Sequence, residues 1–301
     1  MYRRIASNFL VFSLRKWRFQ KYAVQIARNF HRYNNSFTRR PQHLFLAMAS
    51  VGFSFHRFGI TDEELNSSLS ENTSYSDTNE KWERIYKDAN IQVFRRVVPE
   101  LGGIYEYRCV GTYDDISANS FVQAQMDDKY RCQWDENIII LETIEEDEAT
   151  DSQVVQWLAK YPYPLNPRLY IFVRRKIYDE RNQRITVVSK ALTSLKYPDD
   201  GKNIRVTNYA SKLVVKARTS LEEPGLDYVL IYHDDPKTSI PSIAQTWIMK
   251  YGGPEFLKKI YSAAKVLEAR WIAEKEVRNK ESIAINEEQT SSEEDDQKSD
   301  S

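Results

Sequence analysis

One stretch, residues 126–135 with the sequence MDDKYRCQWD, holds a cation, a carboxylate and two aromatic rings at helical spacing. Arg131 precedes Asp135 by four residues, and Tyr130 precedes Trp134 by four, so on a helix each pair shares a face. Such an Arg–Asp pair is by itself an ordinary surface feature worth about 0.2–0.5 kcal/mol. A second stretch, 156–170 with the sequence QWLAKYPYPLNPRLY, crowds aromatic rings and prolines around Arg168. A guanidinium can hold an anion, and aromatic faces can hold a cation. The two stretches are expected to help build one closed pocket that accepts both charges.

The residues that most enzymes need are scarce. Only nine glycines occur, with neither a GxxxxGK[ST] nor a GxGxxG pattern, which argues against nucleotide-phosphate loops. The four histidines are His31, His43, His56 and His233. Only His233 follows the basic leader, so a His/Cys metal site is not expected and any catalytic triad would rest on that one residue. Its setting, YHDDP, reads as a strand end entering a turn. A G-x-S-x-G nucleophile elbow is missing too, which counts against a lipid esterase. Cys109 and Cys132 are too few for a disulfide framework and read as buried free thiols. The chain is therefore expected to be a binding protein without metal or cofactor, and not an enzyme.

Charge divides the chain. Residues 1–61 hold eleven Lys or Arg and no Asp or Glu, although the whole sequence has a formal net charge of zero. Basic, aromatic and acid-free composition is that of a mitochondrial transit peptide, assigned to 1–43. Residues 44–60 are a short apolar segment of membrane-anchor type, below the roughly 20 residues a spanning helix wants. Residues 61–80 read as a polar linker that opens on a helix-start signature, Thr61-Asp62-Glu63-Glu64. Residues 281–301 carry eight acids and one lysine, and read as a disordered tail. The central part is mildly acidic, which excludes a basic nucleic-acid-binding surface.

The folded domain is placed at 81–280. Residues 82–86 read as a short helix or the approach to a strand. Residues 91–98, IQVFRRVV, alternate as a strand; Gly102-Gly103 turns the chain and 104–113 returns. Residues 117–127 have helical spacing, and 126–135 continue as a second helix. Segments 137–144, 153–160, 168–178, 184–192, 204–215 and 226–233 are β-branched runs between turn signals, implying an antiparallel meander. Gly252-Gly253-Pro254 announces a helix whose apolar residues Phe256, Ile260, Ala263, Ala264, Leu267 and Trp271 line one face. The fold class is α+β: a curved antiparallel sheet closed by a long C-terminal helix around a cavity.

The motifs LGGIYEYRCVGTY, MDDKYRCQWD, VVQWLAKYPYPLNPRLYIFVRR, IRVTNY and YGGPEFLKKI resemble the START (StAR-related lipid transfer) family, and within it the phosphatidylcholine-transfer branch, which has a mitochondrial member. The separation of YRxxWD from KYPYP is the specific part. The resemblance implies a helix-grip fold that carries one phospholipid as cargo. It implies Arg131, paired with Asp135, at the lipid phosphate, and Trp157, Tyr170 and Tyr209 as a cage for choline. A phosphate-side tyrosine of that branch aligns with Gln125, a glutamine near the glycerol with Ser211, and an acid after the RxY arginine with Leu169; these three contacts are altered here. The implied activity is intermembrane transfer of phosphatidylcholine to or within mitochondria. Its partners would be mitochondrial membrane surfaces and the import machinery, in the intermembrane space or on the outer surface, with a cytosolic pool. A START carrier or sensor of a sterol or ceramide is the alternative, and an adaptor with a structural cavity is a further one.

Overall fold

The computed structural model describes residues 53–69, 82–161, 163, 165–194, 196–235, 237 and 253–299. The leader assigned to 1–43 and most of the apolar segment 44–60 lie outside the described residues. Among the described residues no helix is long and apolar enough to cross a membrane.

The chain enters through two short helices, α1 (Phe55–Phe58) and α2 (Asp62–Leu69). Thr61 and Glu64 form a reciprocal cap at α2: the Thr61 amide donates to Glu64 Oε2 at 2.8 Å, and the Glu64 amide to Thr61 Oγ1 at 3.2 Å. Leu65 and Ile60 are buried against Val173. Phe53, Phe55 and Phe58 pack on Leu158, Leu169, Ile171 and Leu192. Lys190 pairs with Glu64 at 2.7 Å and Arg175 with Asp62 at 2.7 Å. The expected linker thus begins as packed structure, and the folded unit starts before residue 81. Its polar composition misleads because one buried leucine per two turns suffices to dock a short helix.

Ten strands follow: β1 (Glu83–Lys87), β2 (Ile91–Val98), β3 (Ile104–Ser117), β4 (Ile138–Asp147), β5 (Ser152–Ala159), β6 (Arg168–Asp179), β7 (Arg184–Ala191), β8 (Ile204–Val206), β9 (Tyr209–Ala217) and β10 (Pro224–Asp234). Gly102 and Gly103 turn β2 into β3 with φ of 81° and 78°, a region that favours glycine. The sheet order is β1-β2-β3-β10-β9-β7-β6-β5-β4, with β8 parallel to β6. This is not a plain meander. Between β3 and β4 the chain crosses the sheet as α3 (Ala118–Met126) and α4 (Asp128–Trp134), so β3 pairs with β10 instead. The expected strand over 204–215 breaks at Thr207-Asn208, because its two halves pair with different partners.

The middle of the sheet is buried on both faces. On β6, Leu169, Ile171 and Val173 meet α1 and α2, whereas Tyr170, Phe172 and Arg174 point to the opposite face. That second face is covered by α3 and by the long α5 (Gly253–Ser299). Leu257, Ile260, Ala263 and Ala264 of α5 are buried there with Phe121, Tyr113 and Tyr228. Tyr228 lies across its strand partner Gly111: a Cβ at that glycine would stand 2.4 Å from the Tyr228 ring. The backbone of α5 runs to Ser299, where composition alone predicts disorder; Glu, Gln, Lys and Ala in this stretch are favourable helix residues.

Leu65→Ala tests whether α2 belongs to the folded unit. A loss of roughly 2–5 kcal/mol in urea unfolding is expected for a buried leucine; a loss below about 0.5 kcal/mol, the surface range, would contradict the packing described.

Candidate functional site

The site is assembled from a helix joint and three neighbouring strands. Asp127 ends α3 and begins α4, its carboxylate accepting from the Tyr130 amide at 2.9 Å. The joint is held by a buried arginine. Arg174 of β6 donates to Asp128 Oδ1 at 3.0 Å, to Gln153 Oε1 at 2.7 Å and to the Met126 carbonyl at 3.1 Å. Asp128 also accepts from Thr143 at 2.7 Å. Burial pulls the Arg174 guanidinium below its usual range against the pull of Asp128. The start of α4 is thereby tied to the sheet, and Arg131 follows one turn later.

Arg131 has donors to spare. Its Nη2 lies 3.6 Å from Asp135 Oδ2, a Coulombic contact too long for a hydrogen bond. Its Nε is buried and has no hydrogen-bond partner. The guanidinium carbon stands 5.2 Å from the Trp157 ring centroid and 5.5 Å from that of Phe256. Asp135 is nearly inaccessible, at 2% of its side-chain surface, and its other oxygen accepts from the Asn137 amide at 3.1 Å. Tyr130 and Trp134 share a face as expected but belong to helix packing: their polar atoms donate to the carbonyls of Ala263 and Ala124.

The three expected cage residues are neighbours. Trp157 and Tyr170 are cross-strand partners on β5 and β6, stacked at 4.7 Å between centroids. Tyr209 of β9 meets Tyr170 edge-on at 5.6 Å and Phe172 at 5.3 Å. Trp157 Nε1, like Arg131 Nε, is buried without a partner. Ser211 joins the group: it is the strand partner of Ser189 and Tyr232, and the hydroxyls of both serines stand beside that of Tyr209. Gln125 is not drawn in by any described contact; its amide donates to the Phe121 carbonyl within α3. Leu169 points to the other face, beneath α1. Arg168 is fully buried, with its guanidinium 4.4 Å from the Tyr161 ring.

Four residues outside the expected set complete the cluster. Tyr161 and Tyr232 add rings, the former with its hydroxyl 3.2 Å from that of Tyr170 and the latter 6.0 Å from Tyr209 between centroids. Tyr170 donates to Asp234 Oδ2 at 2.6 Å. Arg174, described above, is the fourth. Tyr232 and Asp234 were legible in principle, since residues two apart on a strand share a face. Cys132, expected to be buried, is exposed on α4; Cys109 is buried, which pushes its thiol up to about 12. His233 points away from the cluster and lies 3.9 Å from Glu106. A separate groove of about 950 Å³ runs between α3, α4 and α5, lined by residues such as Gln123, Met126, Tyr130 and Trp271; none of the cage residues lines it.

A mostly antiparallel ten-stranded sheet with a long C-terminal helix against one face is the architecture the described residues build, and the chain belongs to the START domain family, whose model matches residues 62–270. That match begins at the first residue of α2. The chain is 35% identical over 192 residues to mouse "StAR-related lipid transfer protein 7, mitochondrial", covering 64% of this chain and 51% of that protein. It is 31% identical over 186 residues to bovine phosphatidylcholine transfer protein, covering 61% of this chain and 84% of that protein. The chain thus spans about half the length of the first of these relatives. Among solved structures, human STARD10 superposes with a TM-score of 0.59 at 20% identity, over 71% of this chain and 83% of that one. Human StAR-related lipid transfer protein 5 does so with a TM-score of 0.54 at 15% identity, over 69% and 93%. These likenesses are of fold.

Asp234 supplies a pH test of the site. Burial raises its carboxyl above the ordinary 3.8, and the Tyr170 and Tyr232 hydroxyls only partly offset this. With a folded pKa above the unfolded one, the native state takes up the proton first as pH falls. The group's contribution is therefore least favourable at neutral pH and improves through that window. Asp234→Asn, which keeps an acceptor oxygen and drops the charge, is expected to melt at or above the wild-type temperature at neutral pH. The gap should close on acidification, read by calorimetry of both proteins from about pH 7 to about pH 4. A variant that melts lower at neutral pH would make the carboxylate a stabilising group and remove this reading.

Proposed function

We propose that this protein is a non-enzymatic carrier that binds one phosphatidylcholine and moves it between membranes, delivering it to or within mitochondria. The observation that carries the reading is the adjacency of a half-satisfied arginine and a ring cluster. Arg131 would take the phosphate with the donors that Asp135 leaves unused, and the Trp157 indole N–H stands beside it as a second donor. Trp157, Tyr170 and Tyr209 would surround the trimethylammonium, which has no N–H and is held by aromatic faces at about 0.5–2 kcal/mol each. An ethanolamine head would bring three donors into a cage poor in acceptors. Ser211 would lie toward the glycerol, and Gln125 would approach the phosphate only by leaving its bond to Phe121.

The acyl chains set the energy scale of transfer. At about 0.8 kcal/mol per buried CH₂, two long chains amount to on the order of 20 kcal/mol. A membrane already supplies that burial, so the protein works by exchange between two apolar surroundings and holds lipid as cargo, with no cofactor. Opening would involve α5 and the loop 193–203. That loop is tied down by Tyr197 and Lys196, both on Glu145, and these contacts would break first. The basic leader, the import machinery it would engage and a mitochondrial membrane surface complete the proposal. The word "mitochondrial" in the name of the relative described above supports the organelle; the intermembrane space or the outer surface, with a cytosolic pool, is part of the proposal.

Lipid extraction and mass spectrometry of the purified protein test this directly. Phosphatidylcholine at about one per chain is expected; a sterol or ceramide in its place would support the other START cargo class. Arg131→Ala should weaken phospholipid binding by about 100-fold or more, because it leaves a buried phosphate unpaired. Trp157→Ala should weaken choline-lipid binding by roughly 2–30-fold and leave sterol binding alone. Unchanged choline-lipid binding in both variants would end the reading.

A further inference from the structure

Of the groups at the cage, the carboxylate of Asp234 is the one that cage chemistry as stated above does not use. It sits at the end of β10 on the same strand face as Tyr232, and it accepts the Tyr170 hydroxyl at 2.6 Å. Tyr161 reaches the same spot through its 3.2 Å contact with the Tyr170 hydroxyl. Three phenols from three segments thus converge on one acid. No Lys, Arg or His nitrogen among the described residues lies within ion-pair distance of it. Arg168, also in the cluster, lies over the Tyr161 ring. Part of the Asp234 surface remains accessible, yet protein encloses it enough that desolvation dominates its titration.

An acid that only had to accept two hydroxyl hydrogens could be a neutral amide at lower cost, since an unpaired charge is expensive to enclose. Its charge has a use if a cation arrives. A carboxylate behind a phenol draws the hydroxyl proton toward itself, which enriches the ring that faces the guest and strengthens its hold on a positive charge. It also adds a direct Coulombic pull that a low-dielectric site does not screen.

We propose that Asp234 is the specificity-determining charge of the cage: it answers the positive end of a zwitterionic headgroup while Arg131 answers the negative end, so the site rejects phospholipids whose heads carry no cation. This rests on the carrier reading above. It deepens that reading by moving selectivity from ring shape to a fixed pair of opposite charges. Asp234 then acts through the Tyr170, Tyr161 and Tyr232 rings and across space, not as a mere hydrogen-bond acceptor.

The test uses the full chain equilibrated with vesicles of equal phosphatidylcholine and phosphatidylglycerol, followed by re-isolation and quantification of the bound lipid. Wild type should carry the choline lipid nearly alone. In Asp234→Asn, which preserves an acceptor for Tyr170, the choline-to-glycerol ratio should fall on the order of tenfold. An unchanged ratio in Asp234→Asn, alongside loss of choline lipid in Trp157→Ala, overturns this inference and leaves the carrier reading intact. A wild type without choline preference overturns the carrier reading itself, and this inference with it. Should the Asn variant not fold, Asp234→Ser, which also removes the charge and keeps an acceptor oxygen, supplies the same test: the same fall in the choline-to-glycerol ratio is expected, and an unchanged ratio overturns the inference.

Discussion

The ion pair between Arg174 and Asp128 is the contact on which the placement of the site depends. It joins the middle of the sheet to the break between α3 and α4, with the guanidinium buried and the carboxylate partly so. A buried guanidinium is tolerated only when its donors are taken up, and here a carboxylate, an amide oxygen and a backbone carbonyl take them. The joint cannot then slide along β6. Because α4 is short, whatever fixes its first turn also fixes where Arg131 projects. A guanidinium on an untethered helix would be far less well aimed.

Electrostatics in the cluster is organised as two unlike charges separated by rings. Arg131 is undercoordinated, at 3.6 Å from its acid, and Asp234 is held by phenols with no cationic partner among the described residues. Neither arrangement favours the fold by itself. Sites of this kind are where a protein departs from the rule that buried polar groups be fully satisfied, and the departure points to chemistry with a guest. The apolar remainder offsets the cost: Tyr170, Phe172, Val155 and Val206 are buried around the same centre.

The two faces of β6 divide the work of the domain. One face carries the site, whereas the other is sealed by α1 and α2 through Phe55, Phe58 and Leu65. Because successive side chains alternate, a change in register by one residue would exchange the two sets and place Tyr170 under α1. The cross-strand pairing of Trp157 with Tyr170 is thus both a structural lock on register and the core of the proposed cage. On the far side of the domain, Glu268 of α5 accepts from Ser117 at the start of α3, so the closing helix is latched to the helix pair that carries Arg131.

Much of this was readable from local pattern. The strand at Ile91–Val98, the helix pair with Arg131 and Asp135 one turn apart, and the amphipathic start of the C-terminal helix all follow from periodicities of 2 and 3.6 and from Gly, Pro and capping residues. Those signals are short-range, so a linear sequence is enough to display them. It did not show that β3 turns to β10, that 204–215 divides between two partners, or that α2 covers the outer face. Nor did it reveal that Asp234, in what reads as a turn, ends beneath Tyr170. Every strand offers the same backbone donors and acceptors at both edges, so which edges meet is decided only when the whole chain satisfies them together. That closure, and not any property of residue 234 on its own, put a carboxylate among five aromatic rings.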